Sequence, residues 1–483
     1  MERQEKVKAR RHALVVGGSL AGLLAARVLS EHFEGVTVVE RDRFPEDATP
    51  RKGVPQARHV HVLMLRGQQI LEKLFPGLGD EMVGEGAHVL DMAGDAAWLT
   101  PAGWGPRFDS GLRMLAFTRP LLDLLVRRRL SAFPRVTFIA ESEVTRLIPG
   151  HDGRSLAGVA VRSRREGENS TESRLFADLV VDASGRGSRA PQWLESLGYE
   201  APQETTVTAF LGYASRLYRL PAGFGDEWKC AYIQAAPPRL TRAGVLFPVE
   251  GGRFLLTVMG GGKDYPPTDE EGFKEFVQSL PGHVIHETIS RSEPLTPVVS
   301  YRATENRRRH FERLTRLPEN FLVLGDAACA FNPVYGQGMT TAALGAQALD
   351  EALRERPRRG SDPADFSLRF QRKLASVNAA PWLLATGEDF RFPNVSGSRA
   401  TLSTRLMHRY MDVVVGLSTR DTRVRSVLLQ AFHMLVPPSA LFRPSIALRV
   451  ALHSLRSAGR RGGTERTGAP FGTQSDCRHV TQP

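Results

Sequence analysis

The chain has 483 residues, of which 41% are hydrophobic and 24% are charged, and its formal net charge at pH 7 is +12. This length supports two or three domains with a large core, and three scattered cysteines exclude a disulfide framework and indicate a reducing compartment. No apolar run approaches the length of a membrane span and no signal peptide precedes the first strand, so we expect a cytoplasmic protein.

The first predicted unit, residues 10–82, opens with an apolar strand, a glycine turn and an amphipathic helix. Gly17 permits a tight turn, and Gly22 permits close packing of the helix on the strand. Ser19 replaces the middle glycine of the motif G-x-G-x-x-G and is small enough for the backbone to approach a pyrophosphate. A second strand ends at Glu40, where a carboxylate binds a ribose hydroxyl. The segment predicts dinucleotide binding, and the alternative is a simple turn.

The segment from Arg51 to Leu63 contains the pair His59 and His61. As a residue pattern, His-x-His is a weak metal pair. No third ligand stands at a recognisable spacing, so we predict no metal site. The remaining interpretation is that both histidines are polar loop residues packed beneath a cofactor.

The middle of the chain alternates between two kinds of unit. Residues 118–189 continue the first domain with a helix, a polar hairpin and the strand that ends at Asp182. Residues 83–117 and 190–295 interrupt that domain. Strand patterns in 190–295, separated by glycine and proline turns, predict a sheet that forms one wall of a substrate cavity.

Residues 296–355 return to the first domain and contain the most informative segment, Gly325 to Met339. Here Asp326 follows the carboxyl end of an apolar strand, Pro333 fixes a turn, and Gly336 and Gly338 precede a helix of small residues. This arrangement offers an acceptor for a hydroxyl, a backbone that can approach a ring, and N–H groups aimed at negative charge.

The C-terminal part is predicted to be helical over 356–460, with a disordered tail over 461–483. Residues 391–483 hold fourteen arginines, no lysine and four acids. A helix over 444–460 would place Arg449, His453, Arg456 and Arg460 on one stripe, opposite Leu448, Ala451, Leu452 and Leu455. This helix is interpreted as packed on the core with a solvated basic face, or as a contact with membrane headgroups or an acidic carrier protein.

Arg307 to Arg309 are expected in a solvated surface turn, and no motif indicates a nucleic-acid partner.

Together the two glycine segments resemble FAD-dependent monooxygenases of the p-hydroxybenzoate hydroxylase fold, and the resemblance covers roughly residues 10–390. With Arg51 to Leu63, Thr118 to Asp123 and Asn332 to Gly336, the chain is most similar to bacterial epoxidases acting on polyene intermediates of polyether biosynthesis. The resemblance implies an α/β fold: a Rossmann-like FAD-binding domain, interleaved with a β-sheet substrate domain and followed by C-terminal helices.

The same resemblance implies a non-covalent FAD site. It places Asp326 near the ribityl chain or pyrophosphate, and Arg58 or His59 beside the flavin. Ser184 stands where the family normally has an aspartate, so we expect slow or absent direct reduction by NAD(P)H and a separate flavin reductase. The implied cofactor-binding residues are Gly17, Gly18, Ser19, Ala21, Gly22, Glu40, Arg41, Arg58, Arg119, Val144, Asp182, Gly185, Asp326, Pro333, Gly336, Gly338 and Met339.

The expected activity is insertion of one oxygen atom from O₂ through a flavin C4a-hydroperoxide. Epoxidation of a hydrophobic olefin, a polyketide or terpenoid of specialised metabolism such as antibiotic biosynthesis, needs no protein base and is favoured. The alternatives are aromatic hydroxylation, reduction of a prenyl chain, and non-enzymatic binding of the GDI type. A halogenase of the same fold normally carries the signature W-x-W-x-I-P, which this sequence lacks.

Overall fold

The computed structural model describes residues 11–165, 172–221, 223, 227–355, 366–397 and 400–461, with the backbone alone described over 454–461. The predicted tail over 461–483 lies outside the described residues apart from residue 461. The predicted start of the helical region over 356–365 also lies outside them.

The strands form five sheets within the described residues. In chain order the strands are β1 (His12–Val16), β2 (Gly35–Val39), β3 (His88–Asp91), β4 (Ala96–Thr100), β5 (Gly103–Trp104), β6 (Arg113–Ala116), β7 (Val136–Ile139), β8 (Ser142–Pro149), β9 (Leu156–Ser163), β10 (Glu172–Phe176), β11 (Leu179–Asp182), β12 (Glu204–Val207), β13 (Gly212–Arg219), β14 (Cys230–Ile233), β15 (Arg242–Val249), β16 (Arg253–Gly260), β17 (Val299–Tyr301), β18 (Asn306–Arg309), β19 (Phe321–Val323) and β20 (Cys329–Ala330).

Most helices lie around the first sheet or at the C-terminal end of the chain, and two pack on the second large sheet. In chain order they are α1 (Leu20–His32), α2 (Leu65–Leu74), α3 (Leu78–Gly84), α4 (Arg119–Ser131), α5 (Ala190–Ser196), α6 (Glu270–Gln278), α7 (Val284–Ser290), α8 (Gly338–Glu355), α9 (Phe366–Asp389), α10 (Leu402–Ser418), α11 (Thr422–Phe432) and α12 (Pro444–Arg461).

The first sheet is parallel throughout, in the order β19-β11-β1-β2-β7. Its central strands are apolar at almost every position because both faces are buried, by helices such as α1 and by strands β8 and β9. Parallel strands end at one common edge. The turn after β1, Glu40 after β2 and Gly325 after β19 therefore meet at this edge, which is where α/β sheets bind nucleotides.

The second large sheet has the order β17-β13-β16-β15-β14-β4-β5 and is antiparallel except between β14 and β4. Side chains alternate across it, as expected for a two-sided sheet. In β15, Leu246 packs with Phe273 of α6 and Ile285 of α7. The neighbouring residue Phe247 points to the opposite face, into a second apolar cluster. That face is the wall of a cavity described below.

Arg307 to Arg309 lie in strand β18, not in a surface turn, so that prediction is wrong. Arg309 is 6% exposed, its Nε donates to Glu204 Oε1 at 2.7 Å, and its Nη1 donates to the carbonyl of Ala327 at 2.9 Å. A guanidinium that finds a carboxylate and a carbonyl can be buried. The run of three arginines in the sequence does not reveal these partners, because Glu204 lies far from it along the chain.

Helices α10, α11 and α12 share a small core of their own. Helix α12 lies over the predicted segment, but its buried face differs from the predicted one. Ile446 and Val450 are buried, whereas Leu448 and Leu452 are 61% and 45% exposed. Arg449, expected on a solvated stripe, pairs with Asp421 at the start of α11.

No helix within the described ranges combines the length and apolar character needed to cross a membrane. The same residues contain no cluster of three or more potential metal-ligating side chains.

Candidate functional site

A groove of about 410 Å³ runs along the carboxyl edge of the parallel sheet. Many of the residues proposed from sequence line it: Gly17, Ser19, Ala21, Glu40, Arg41, Arg119, Val144, Gly185, Asp326, Pro333, Gly336, Gly338 and Met339. Sequence reasoning gave no role in the groove to a further set that also lines it: Arg51, Gln56, Arg186, Trp193 and Tyr301.

The turn between β1 and α1 shows why the sequence requires glycine there. Gly17 has φ 101°, a left-handed conformation that a side chain disfavours. A Cβ on Gly22 would lie 1.8 Å from the carbonyl oxygen of Gly17. Ser19 precedes α1 without capping it, so the N–H groups of the first turn have no side-chain acceptor and face the groove. An uncapped helix start of this kind suits a phosphate.

Arg119 brings a positive charge to the same helix start. It is the first residue of α4 and is 6% exposed. Its Nη2 donates to Ser19 Oγ at 3.1 Å, and its Nε donates to Asp123 Oδ1 at 2.8 Å, one turn further along. Asp123 therefore holds the guanidinium in the orientation that a pyrophosphate would meet.

Glu40 is buried at the end of β2, and both of its carboxylate oxygens have partners. Oε2 accepts from the N–H of Gly18 at 2.7 Å and lies 2.9 Å from Arg51 Nη1, and Oε1 accepts from the N–H of Asp42 at 3.0 Å. Arg51 therefore closes this end of the groove. Its segment was conspicuous in the sequence, but its contact with Glu40 exists only in the folded chain.

The opposite end of the groove is built by the segment from Asp326 to Met339. Gly336 has φ 64°, and Gly338 is the first residue of α8. A Cβ on Gly338 or on Gly185 would meet no atom within 4 Å, so both glycines border open space. Burial raises the pKa of Asp326, whereas the neighbouring Arg186 and Arg119 lower it.

A buried polar network fixes this segment from behind. Tyr213 donates to Asn332, whose N–H donates to Asn306 Oδ1 at 2.8 Å. Asp389 of α9 accepts from Asn306 Nδ2 at 2.7 Å and from the hydroxyl of Tyr335. Burial raises the pKa of Asp389 to about 7, although both hydrogen bonds act to lower it. Sequence reasoning missed this network because its members come from distant segments with no motif in common.

His59 and His61 face different spaces. His59 lines a cavity beyond the groove, where its Nδ1 lies 2.7 Å from Ser215 Oγ, and that hydroxyl lies 2.6 Å from Thr257 Oγ1. Burial lowers the pKa of His59 to about 3, helped by His61 and Arg58. His61 lines the groove, and burial together with Arg119 lowers its pKa to about 4. Both rings are therefore neutral at pH 7.

Four of the proposed residues do not line the groove. Gly18 and Gly22 act through the turn that they build. Asp182 is 0% exposed and accepts from the N–H of Ser184 at 2.9 Å and from Ser188 Oγ at 2.5 Å, so it shapes the turn after β11. Arg58 is exposed and lines neither the groove nor the cavity. That Arg58 or His59 lies beside the flavin stays a prediction.

Two largely apolar spaces lie next to the groove, and each shares lining residues with its neighbour. The smaller, of about 110 Å³, shares with the groove Gln56, Val62, Tyr301, Pro333 and Gly336. The larger, of about 530 Å³, shares with the smaller Trp98, Tyr232, Met259, Val334, Tyr335 and Phe432. Within the described residues, the smaller space is lined by no carboxylate, lysine or arginine. We call the two spaces together the substrate cavity.

Comparison with known proteins identifies the groove. The family model "FAD binding domain" matches residues 10–362, which include all the segments that build it. The chain belongs to this family. The flavoprotein is 32% identical to Protein Rv3254 of Mycobacterium tuberculosis strain H37Rv, over 92% of this chain and 94% of that one. It is 27% identical to kynurenine 3-monooxygenase of Salinispora arenicola, over 74% of this chain and 75% of that one.

Among solved structures, the flavin-dependent brominase Bmp2 superposes on the flavoprotein with a TM-score of 0.62 and 14% identity, over 92% of this chain and 100% of that one. The predicted fold is confirmed: an FAD-binding α/β fold of the p-hydroxybenzoate hydroxylase type, with mixed sheets and C-terminal helices. The ubiquinone hydroxylase UbiL of Rhodospirillum rubrum is also among the similar proteins, at 27% identity over 79% of this chain and 77% of that one. The narrower subgroup of polyether epoxidases is not established by these similarities.

The groove fits FAD on its own residues. The uncapped start of α1 and Arg119 suit the pyrophosphate, and Glu40 suits a ribose hydroxyl. The open glycines at 185 and 338 leave room for a flat ring against the backbone. Reduced FAD bound there would supply the activation of O₂. The chain would supply the fixed segment behind the ring and an apolar cavity beside it.

Proposed function

We propose that the flavoprotein epoxidises a hydrophobic olefin. The observation that carries this proposal is the lining of the smaller space of the substrate cavity, next to the segment from Pro333 to Gly336. Aromatic, aliphatic and thioether side chains dominate this lining, including Trp98, Phe247 and Phe432. An uncharged, electron-rich double bond is the kind of group that such a surface would hold beside a flavin.

The titratable groups in the same lining support this choice. Attack on a phenol is helped by a base that removes the phenolic proton, whereas attack on an alkene is not. At neutral pH His59 is a weak base, because burial lowers its pKa to about 3. Burial raises the pKa of Tyr232 and of Cys230 to about 12, and that of Tyr213 well above its usual value. None of these side chains has a pKa near 7, so none is suited to remove a proton at pH 7.

Aromatic hydroxylation is the second candidate. It is favoured by the similarity to kynurenine 3-monooxygenase and to the ubiquinone hydroxylase UbiL of Rhodospirillum rubrum. In this reaction His59, bonded to Ser215 and adjacent to the cavity, would be the first residue to consider as a proton acceptor.

The source of electrons is also a proposal. Ser184 and Gly185 line the groove where an aspartate was expected from the resemblance, and the nearest acid, Asp182, is buried behind the turn. We therefore propose that a separate flavin reductase delivers electrons, with NAD(P)H as the indirect source. Rapid flavin bleaching by NADPH alone under anaerobic conditions would contradict this.

One experiment tests the reaction. The FAD-loaded protein is reduced without oxygen and then mixed with air and a panel of polyenes and phenols, and product masses are measured. Epoxidation predicts a gain of one oxygen from polyenes, whereas products from phenols alone would establish hydroxylation. A gain of two hydrogens would instead indicate a reductase.

A partner at the C-terminal helices is proposed as well. Leu402 and Leu406 of α10 and Leu448 and Leu452 of α12 are exposed, in a region rich in arginine. Exposed leucine with positive charge suits the surface of an anionic membrane. We expect co-sedimentation with phosphatidylserine vesicles that is lost when Leu448 and Leu452 are replaced by serine. Binding to an acidic carrier protein without vesicle binding would contradict this choice.

A further inference from the structure

Arg425 is a buried cation to which the chain gives no counter-charge. It lies on α11, is 1% exposed, and is the largest of the fully buried side chains. Its Nε and Nη2 have no hydrogen-bond partner, and no ion pair to it is found among the described residues. Burial lowers the pKa of its guanidinium, which still leaves arginine charged at pH 7. A buried and unpaired guanidinium destabilises a fold unless an anion joins it.

The surroundings of Arg425 provide space and polarisable surface, but no acid forms an ion pair with it among the described residues. Its guanidinium carbon lies 5.4 Å from the centre of the Trp98 ring, a cation–π contact. Its Nη1 lies against the backbone of Gly105, where a Cβ would come within 1.8 Å of it. Glycine at position 105 therefore makes the room in which the guanidinium sits.

Arg425 lines the larger space of the substrate cavity, on the side that does not reach the FAD groove. Three other charged residues line this space, and they form ion pairs with one another. Arg391 Nε lies 3.0 Å from Glu388 Oε2, and its Nη1 lies 2.7 Å from Asp412 Oδ1. Arg425 is thus the charged side chain of this lining that lacks a partner within the described residues.

We propose that Arg425 binds the carboxylate of the substrate, so that the substrate is an olefinic acid whose apolar chain reaches from Arg425 to the flavin. Nε and Nη2 lie on one edge of a guanidinium, at the spacing of the two oxygens of a carboxylate. A single cation matches a singly charged group, whereas a diphosphate would demand further cations. This assignment of substrate class rests on the proposed function.

Binding without turnover tests the proposal. The oxidised, FAD-loaded protein is titrated with three pairs of acid and methyl ester: farnesoic, retinoic and linoleic. Binding is measured by calorimetry and by the change in the flavin spectrum. For at least one pair the acid should bind about 10- to 100-fold more tightly than the ester, the size of a buried charge-assisted hydrogen bond.

Variants of one helix provide the control. Arg425→Met should abolish the preference for acid over ester, and Arg425→Lys should keep part of it. Arg423→Met, a change at an exposed position of the same helix, should leave it unchanged. If Arg425→Met loses FAD, Gly105→Ala replaces it. That variant displaces the guanidinium and should also reduce the preference.

Two results would overturn the proposal: no preference for acid in any of the three pairs, or a preference that survives both Arg425→Met and Gly105→Ala. An acid preference that depends on Arg425, in a protein that transfers no oxygen, would leave this proposal standing and overturn epoxidation. If acid and ester bind equally tightly and both are epoxidised, the proposal for Arg425 is overturned and epoxidation stands.

Discussion

The FAD groove and the substrate cavity are built in different ways. The groove uses backbone amides, glycines and a few fixed charges, contributed by turns that follow neighbouring strands of one parallel sheet. The cavity uses side chains from the seven-stranded sheet, the segment around Pro333 and helices near residue 430. Local sequence spacing therefore governs the groove, whereas long-range packing governs the cavity. Substitutions in the groove should therefore change FAD binding, and substitutions in the cavity should change turnover.

The largest effect is expected at a glycine of the groove, where a side chain would collide with the backbone. Gly22→Val places a branched side chain against the carbonyl oxygen of Gly17, which a Cβ would already approach to 1.8 Å. The purified variant should be colourless or fail to fold, as measured by flavin absorbance per protein. The control is Gly387→Ala in α9, where a Cβ would meet no atom within 4 Å and FAD should be retained. Full FAD content in Gly22→Val would disprove the assignment of the turn.

A smaller loss is expected from removing one charge of the groove. Arg119→Met removes a guanidinium held between Ser19 and Asp123, and should weaken FAD binding about 10- to 100-fold, as for loss of a charge-assisted hydrogen bond. Arg113→Met, at a position 56% exposed, is the matched control and should leave FAD affinity unchanged. Equal affinity in both variants would show that Arg119 does not contact the cofactor.

The network behind the flavin segment predicts a dependence on pH. Burial raises the pKa of Asp389 to about 7, so the folded state favours the protonated acid. The free energy of unfolding should therefore fall as pH rises from about 4, where the unfolded carboxyl titrates, to about 7, and then level off. Asp389→Asn removes this fall, an effect on the order of 4 kcal/mol at most.

Thermal melting of wild type and Asp389→Asn at pH 5 and pH 8 checks this prediction. The difference in Tm should shift in favour of the variant at pH 8. Asp109→Asn, at a position 72% exposed, should show no such shift. A pH-independent difference between wild type and Asp389→Asn would mean that Asp389 is ionised throughout.

The smallest effect is expected from the histidine of the cavity. His59→Ala removes the contact with Ser215, which should misplace the substrate and lower turnover by roughly 2- to 5-fold, a loss of packing and hydrogen bonding rather than of a base. FAD content and flavin reduction should match those of His151→Ala, an exposed control. A variant that binds and reduces FAD normally but transfers no oxygen would favour aromatic hydroxylation.

The division between groove and cavity also sets how much the sequence alone could determine. A glycine turn, a strand end and a helix start lie within about 25 residues of one another, so their relative positions follow from local geometry. The resemblance built on them therefore led to the fold, and most of the cofactor-binding residues that it implies line the groove. Arg51, Gln56 and His61 lay within a segment already singled out, but their side chains could not be assigned.

Only the tertiary structure decided the rest. The pairing of Arg309 with Glu204, the network around Asp389 and the isolation of Arg425 each join residues that are far apart in sequence. Their burial and partners depend on how sheets and helices pack, and periodicity does not encode those contacts. The same reason explains α12, whose buried face is set by the packing of Ile446 and Val450 against α10 and α11. Sequence determined which cofactor could be held, and packing determined the shape and charge of the space beside it.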